Sequence, residues 1–386
     1  MVGRGFAGFW AALAARRVAL SHTEVVLASR DAMLQIRPRL YECDPQALQV
    51  DMHPLLDRAG VEFQRGEAVT LDPGARTVAF DGGDKSAYGR LVVATGSVMR
   101  RPPIAGAERA FSVDTVAEAV AFDERLAQVV RGRDVPALTV VGAGFTGIEL
   151  ALELRDRIAR HGTQRQAEIA HIVLVDRADA VGVELGPGPR PLIEAALNAA
   201  RVELRLGVTP TEIDDHGIVL AGSERIDADA VVLTTGMVAA PFACKVPGDH
   251  DPLGRVVVDQ YLRAPKAPGV FVAGDAAAAD GGDGHLVVQS CQHALQLGRF
   301  AGENAARDLT GRPLIPYVQP PYITCLDLGS SGAVFTRGWD RDVAFAGEKA
   351  KAVKRRINTQ DIYPPRDGTR EELLMLSNLD PRLPRR

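Results

Sequence analysis

The chain has 386 residues, 46% hydrophobic and 24% charged, which is too long for one core and ordinary for a globular protein of two or three domains. A net charge of −4 argues against a nucleic-acid binder. Cysteines 43, 244, 291 and 325 are too scattered for a dithiol centre or a zinc ribbon and fit the reducing cytosol. No apolar run reaches the roughly 20 residues a spanning helix needs, so the expected location is cytoplasmic with no membrane span.

The N-terminus reads two ways. Arg4 followed by FAGFWAALAA resembles a signal peptide, but it also reads as a glycine-rich nucleotide loop opening a helix. The rest of the chain decides for the loop. Gly3, Gly5 and Gly8 form GxGxxG, followed by a helical stretch FWAALAARR and a strand TEVVLAS. IRPRLYE comes next, where Arg37 and Arg39 face either an anionic acceptor or water. VEFQRGEAVTLD follows, and the half closes on the buried strand LVVATG with Ala94, Thr95 and Gly96.

The order then repeats. After the loop-like RRPPIAGAE, Gly142, Gly144 and Gly147 form a second GxGxxG, followed by the helical IELALELRDRIAR, the strand HIVLVD, then VELRLGVTPTEID and VVLTTG ending on Gly236. One GxGxxG is weak evidence, but two in a matching order of elements imply two nucleotide sites. In each loop the first glycine allows a tight turn, the second lets backbone approach a pyrophosphate, and the third lets helix pack on strand. The pyrophosphate sits on the positive end of the helix dipole. Strands alternating with helices predict an α/β fold with two Rossmann-like domains. Late in the chain, the strand GVFVAGDAA ends in Gly274 and Asp275, at the carboxyl end where open α/β sheets bind ligands. Helical periodicity resumes from about Leu286 to Arg307. Beyond Pro313 come two short strand candidates, YITCLDLG and AVFTRG, then a basic helix AGEKAKAVKRRIN read as solvated, giving a small α+β extension. KAVKRRIN has too little apolar face for interfacial membrane binding.

The two loops, the ATG and the late VFVAGD together resemble the flavoprotein superfamily with two dinucleotide-binding domains. The likeness is greatest to type II NADH:quinone oxidoreductases and apoptosis-inducing-factor-like reductases. This resemblance implies FAD on Gly3, Gly5, Phe6, Ala7, Gly8, Ser29, Arg30, Val69, Ala94, Thr95, Gly96, Gly274, Asp275 and Gln292. It implies a nicotinamide dinucleotide on Gly142, Gly144, Gly147, Glu149, Asp176 and Gly236. A helix starting beside the flavin would aim its dipole at the pyrimidine edge of the ring. The resemblance inserts the second nucleotide domain into the first, predicting an FAD domain over 1–105 plus 240–310, an inserted domain over 106–239, and an extension over 311–386.

Glu149 matches the acid of the family's GxxGxE run, where nicotinamide meets flavin; the other reading is a helix-start carboxylate. CQHALQ stands in place of the quinone reductases' AQxAxQ. Gln292 and Gln296 would then touch the flavin edge and a quinone carbonyl, with Cys291 packed under the ring. The implied activity passes hydride from NADH to FAD and electrons to a quinone-like acceptor. A ferredoxin- or rubredoxin-type reductase and a slow-turnover redox sensor remain alternatives, and a homodimer stays open. The missing cysteine pair disfavours disulfide reduction, and no FxGxxxHxxxW-type signature marks a monooxygenase.

Two positions depart from the family pattern. Only Met1 and Val2 precede Gly3, so either the sheet has lost most of a central strand or the start lies upstream. Ser29 stands where an acid would hold the FAD ribose, a weaker partner than a carboxylate. The second repeat keeps its acid, Asp176, which favours NADH over NADPH, while the adjoining Arg177 softens that preference.

Overall fold

The structure is a computed structural model that describes residues 1–379. The duplication read in the sequence is visible in its sheets. In the second half five parallel strands run in the order Phe111–Ser112, Ala230–Leu233, Ala137–Val141, His171–Val175 and Val202–Arg205. The three central strands are buried on both faces, as a sheet covered by helices on both sides requires. In the first half Val26–Ser29 pairs in parallel with Glu62–Arg65, and Leu91–Val93 with Val270–Val272. Val2 joins the two pairs by bridging Ala28 and Val93.

The central strand of the first half is therefore carried by Val2. Its N–H donates to Val92 O at 3.0 Å and its carbonyl accepts from Ala94 N at 2.9 Å. In line with it, a cleft of about 570 Å³ opens beside Met1, Val26 and Leu91. The Met1 amine donates to Val26 O at 2.6 Å, and burial pulls its pKa down to about 5.

Each half also carries a three-stranded antiparallel sheet. Ala68–Asp72, Thr77–Phe80 and Lys85–Ala87 form one, and Pro210–Asp214, Gly217–Leu220 and Arg225–Asp227 the other. Beyond the two Thr-Gly ends, Ser97–Met99 and Met237–Ala239 pair as an antiparallel ribbon. This ribbon ties the carboxyl ends of the two parallel sheets together.

The helix after the first loop, Phe6–Val18, is buried along its whole first ten residues, Phe6 to Ala15. That burial explains why FAGFWAALAA is apolar all round. The helix packs on Cys291–Leu309, whose Gly298 and Gly302 admit the backbone of the first helix; a Cβ on either would lie 2.3 Å from Ala7 O or 2.1 Å from Ala11 O. The late helix begins at Cys291, capped by Ser290, later than the periodicity from Leu286 implied. Gly and Asp residues at 280–284 break the segment before it, and Gly281 N pairs with His285 O in a turn.

The C-terminal sheet has three antiparallel strands where the sequence offered two candidates: Ile323–Asp327, Ala333–Arg337 and Asp342–Gly347. The third, DVAFAG, is half exposed, so its alternation was too weak to read. The following helix Glu348–Arg356 is not solvated as expected. Ala350 and Lys354 are buried, and the helix packs against the strands of this sheet. Among the described residues no helix is long and apolar enough to cross a membrane.

Candidate active site at the two nucleotide loops

The first loop leaves the sheet at Gly3, with φ +111°, where a Cβ would lie 2.2 Å from Ala94 O. Gly8 is equally closed, its Cβ falling 1.7 Å from Gly3 O. Gly5, the N-cap of the helix, faces open space, and no side chain caps that helix. Phe6 and Ala7 therefore begin a buried helix whose N-terminus is free for an anion. Opposite, Ala94 is buried, Gly96 has φ +74° with nothing within 4 Å of its Cβ position, and Thr95 Oγ1 is buried without a partner. A cradle that a Cβ would not obstruct, an uncapped helix and an orphaned hydroxyl fit a bound dinucleotide cofactor.

Gly274, φ +68°, lets the late strand pass Ala7 and Ala294. Asp275 follows in a short 3-10 turn rather than at the start of the late helix, which begins at Cys291. Its carboxylate accepts from Ser97 Oγ at 2.6 Å. Arg37 donates to Ser97 O at 3.1 Å and pairs with Asp114, so it supports this corner rather than greeting an acceptor. Arg39 is likewise engaged, by Glu42 and by Tyr363 Oη at 2.9 Å. Ser29 is half-buried at the end of its strand, Arg30 pairs with Glu67 at 3.1 Å, and Val69 is exposed on the first antiparallel sheet.

The second loop repeats the geometry. Gly142 has φ +114° and a Cβ would lie 2.4 Å from Thr234 O, Gly147 closes on Gly142 O, and Gly236, φ +87°, faces open space as Gly96 does. Asp176 accepts from Ala143 N at 2.6 Å and from Ala178 N at 2.8 Å, which fixes the carboxylate at the loop's edge. Glu184, on the turn after this strand, accepts from Phe145 N at 3.0 Å.

Glu149 lies in the first turns of the helix Phe145–His161 and is buried. It does not stand as a solvated helix-start carboxylate. Lys354 Nζ lies 2.8 Å from its Oε1, and Asp327 N donates to the same oxygen at 2.8 Å. Burial pushes the Glu149 carboxyl up to about 7 against the pull of Lys354. Burial alone would lower Lys354, but Glu149 together with Cys325 and Asp327 outweighs it and holds the ammonium above its ordinary value. Lys354 also lies over the rings of Phe145 and Tyr41. Sequence reading missed this lysine, because KAVKRRIN looks like one polar helix. Its one signal was the i, i+4 spacing of Ala350 and Lys354, which puts both on the inner face.

On the late helix, Gln292 donates to Ile323 O at 2.7 Å, tying the helix to the C-terminal sheet. Gln296, one turn on, is half-buried. Cys291 is half-buried at the helix start, and desolvation pushes its thiol up to about 11, so it is no thiolate nucleophile. His293 is buried between them, bonded through Nδ1 to Ser290 Oγ at 2.7 Å, and burial lowers its pKa to about 4. Among the described residues no His, Cys, Asp or Glu group is arranged to hold a metal.

Comparison with known proteins gives this geometry its context. Residues 1–298 match the model of the pyridine nucleotide-disulphide oxidoreductase family. The chain is 41% identical to an NADH dehydrogenase-like protein of Mycobacterium tuberculosis, over 97% of this chain and 96% of that one. It is 27% identical to a demethylphylloquinone reductase of Synechocystis, over 87% and 85%. In fold it is similar to the sulfide:quinone oxidoreductase of Aquifex aeolicus, with TM-score 0.76 and 17% identity, covering 99% of this chain and 92% of that one. A ferredoxin reductase of Rhodopseudomonas palustris gives TM-score 0.72 and 22% identity, over 98% and 97%.

Proposed function

The chain belongs to the pyridine nucleotide-disulphide oxidoreductase family of NAD(P)H-dependent flavoenzymes, and we propose that it oxidises NADH through FAD and reduces a quinone-like small molecule. The observation that carries this reading is the pair of glycine loops, each at the carboxyl end of its own parallel sheet, joined by the ribbon 97–99 and 237–239. The same reading divides the chain into a flavin unit over 1–105 and 240–310, an inserted unit over 106–239, and an extension from 311.

FAD would lie on the first loop, with Thr95, Gly96 and Asp275 at its far end. When bound, it would supply acceptance of the nicotinamide hydride and onward release of two electrons. The residues of the chain supply position, exclusion of water and a proton. The amide ends of the two loop helices take the two pyrophosphates. Asp275, held by Ser97 and through it by Arg37, would be a fixed acceptor for the flavin's far end. Asp176 meets the second ribose as an acceptor and disfavours a 2′-phosphate, which supports NADH over NADPH.

A hydride carries two electrons and one proton, whereas a quinol needs two protons. Glu149, poised near 7 and bonded to Lys354, is the buried group able to hold the second at neutral pH. Gln296, half-buried on the late helix, would meet a carbonyl of the acceptor.

Double-mixing stopped-flow tests the reading. The protein is reduced anaerobically with NADH and then mixed with menadione, a ferredoxin or oxygen. Menadione is expected to reoxidise it fastest, and Gln296→Ala to slow that step several-fold while leaving reduction by NADH intact. Faster reoxidation by ferredoxin would overturn the quinone assignment, and equal slowing of both halves would place Gln296 in general support of the flavin.

A further inference from the structure

The two glycine loops differ at the spot where a pyrophosphate would sit. In the first, nothing lies within 4 Å of where a Gly5 Cβ would be. In the second, a Cβ on Gly144 would lie 2.6 Å from Glu184 Oε1, and that oxygen accepts from Phe145 N at 3.0 Å. Phe145 N is the first amide of the 17-residue helix, one of the donors a dinucleotide phosphate uses. A carboxylate oxygen thus stands where a phosphate oxygen would stand.

This placement is built into the fold. Glu184 belongs to the short turn Val183–Leu185 that follows the strand His171–Val175. The turn is fastened to the loop itself, because Gly182 N donates to Ala143 O at 2.9 Å. Leu185 is buried and pins its other side, while Glu184 is exposed, so its side chain can leave the amide without disturbing the core. A flexible anion on a fixed turn is a competitor that can be displaced but is always present.

We infer that Glu184 is an internal stand-in for the pyridine-nucleotide pyrophosphate, a specificity-determining residue that lowers affinity for the dinucleotide and eases its release. This rests on the reading of the second loop as the nucleotide site. Bound nucleotide displaces the carboxylate from Phe145 N, giving up a favourable anion–dipole contact and placing two like charges side by side. The empty loop meanwhile resists stray phosphates, because its amide already has a partner. Among the described residues the first loop has no such partner, as suits a cofactor that stays bound through many turnovers.

The test is calorimetric titration of the flavin-loaded protein with ADP-ribose, which carries the pyrophosphate but cannot react, with adenosine as a control that lacks it. Glu184→Gln keeps an acceptor and removes the charge, and Glu184→Ala removes both. Both are expected to bind ADP-ribose about two- to fivefold more tightly than the parent, the range of one carboxylate at a helix N-terminus. Adenosine affinity should not change. Unchanged ADP-ribose affinity would overturn the inference, and weaker binding would show Glu184 to be a contact for the nucleotide instead. Failure of the parent itself to bind ADP-ribose would instead overturn the underlying reading of the loop. Because Glu184 is exposed, an unaltered flavin spectrum and melting temperature would verify that the variants are folded.

Discussion

The two loops have nearly the same backbone and different foundations. Gly3 and Gly142 have φ of +111° and +114°, and each closes on a carbonyl of the neighbouring strand at 2.2 and 2.4 Å. Behind Gly142 stands a five-residue strand paired on both sides. Behind Gly3 stands Val2, with one bridge to each neighbour. In both halves the residue before the loop lies in register between two flanking strands. The first half also has a close helix contact, where Gly298 and Gly302 bring two backbones together. The helices differ in the same way. Two residues after the third glycine, the first carries buried Trp10, with Arg299 stacked over its ring at 4.3 Å, while the second carries Glu149 with Lys354.

The largest effect should come from breaking the helix contact. Gly302→Ala would gain about 1 kcal/mol from helix propensity alone, yet its Cβ would meet Ala11 O at 2.1 Å. We expect a net loss of about 3 kcal/mol or more, since backbone rather than a flexible side chain must move. Urea unfolding measures it, with release of flavin as a second signal. An unchanged or raised midpoint would mean that the first loop does not lean on this packing.

Lys354→Met should have a smaller, pH-dependent effect. It removes the cation that holds the Glu149 carboxyl down, so that carboxyl rises further above 7. A carboxyl whose folded pKa exceeds its unfolded value contributes stability below the unfolded value and loses it as pH rises through the folded one. The deficit of the variant should therefore be small at pH 6 and grow by about 1.4 kcal/mol by pH 8, the ceiling for one proton over the pH unit above 7. Parallel melts at the two pH values test this, and adding Glu149→Gln should remove the slope. A deficit equal at both would show that Glu149 stays neutral throughout.

The parts of this comparison set by backbone conformation were readable from the chain. Gly3, Gly8, Gly142 and Gly147 stand where a Cβ would strike backbone, and their spacing with Gly5, Gly144, Thr95-Gly96 and Gly274-Asp275 is carried by local sequence. The parts set by distant pairs were not. Lys354 reads as one cation among several in KAVKRRIN until the helix is seen against Glu149. Arg37 looked free because Ser97 and Asp114 lie far along the chain. Glu184 sits in a loop whose sequence gives no sign that its turn folds back on the glycines. That Val2 would bridge Ala28 and Val93 in register was likewise set by distant strands.

The division of labour between the loops is tested most directly at their second glycines, which the fold leaves open at Gly5 and fills only with the Glu184 side chain at Gly144. An aspartate there sets a fixed anion against the pyrophosphate. Anaerobic titration of Gly144→Asp with NADH, followed by the visible absorbance of the flavin, is the decisive measurement. Full flavin occupancy and no bleaching are expected at NADH concentrations that reduce the parent, with Gly5→Asp showing the reverse order of loss, flavin first. Bleaching unchanged in Gly144→Asp, or flavin lost from it while Gly5→Asp retains its own, would contradict the assignment of the two nucleotides to the two loops.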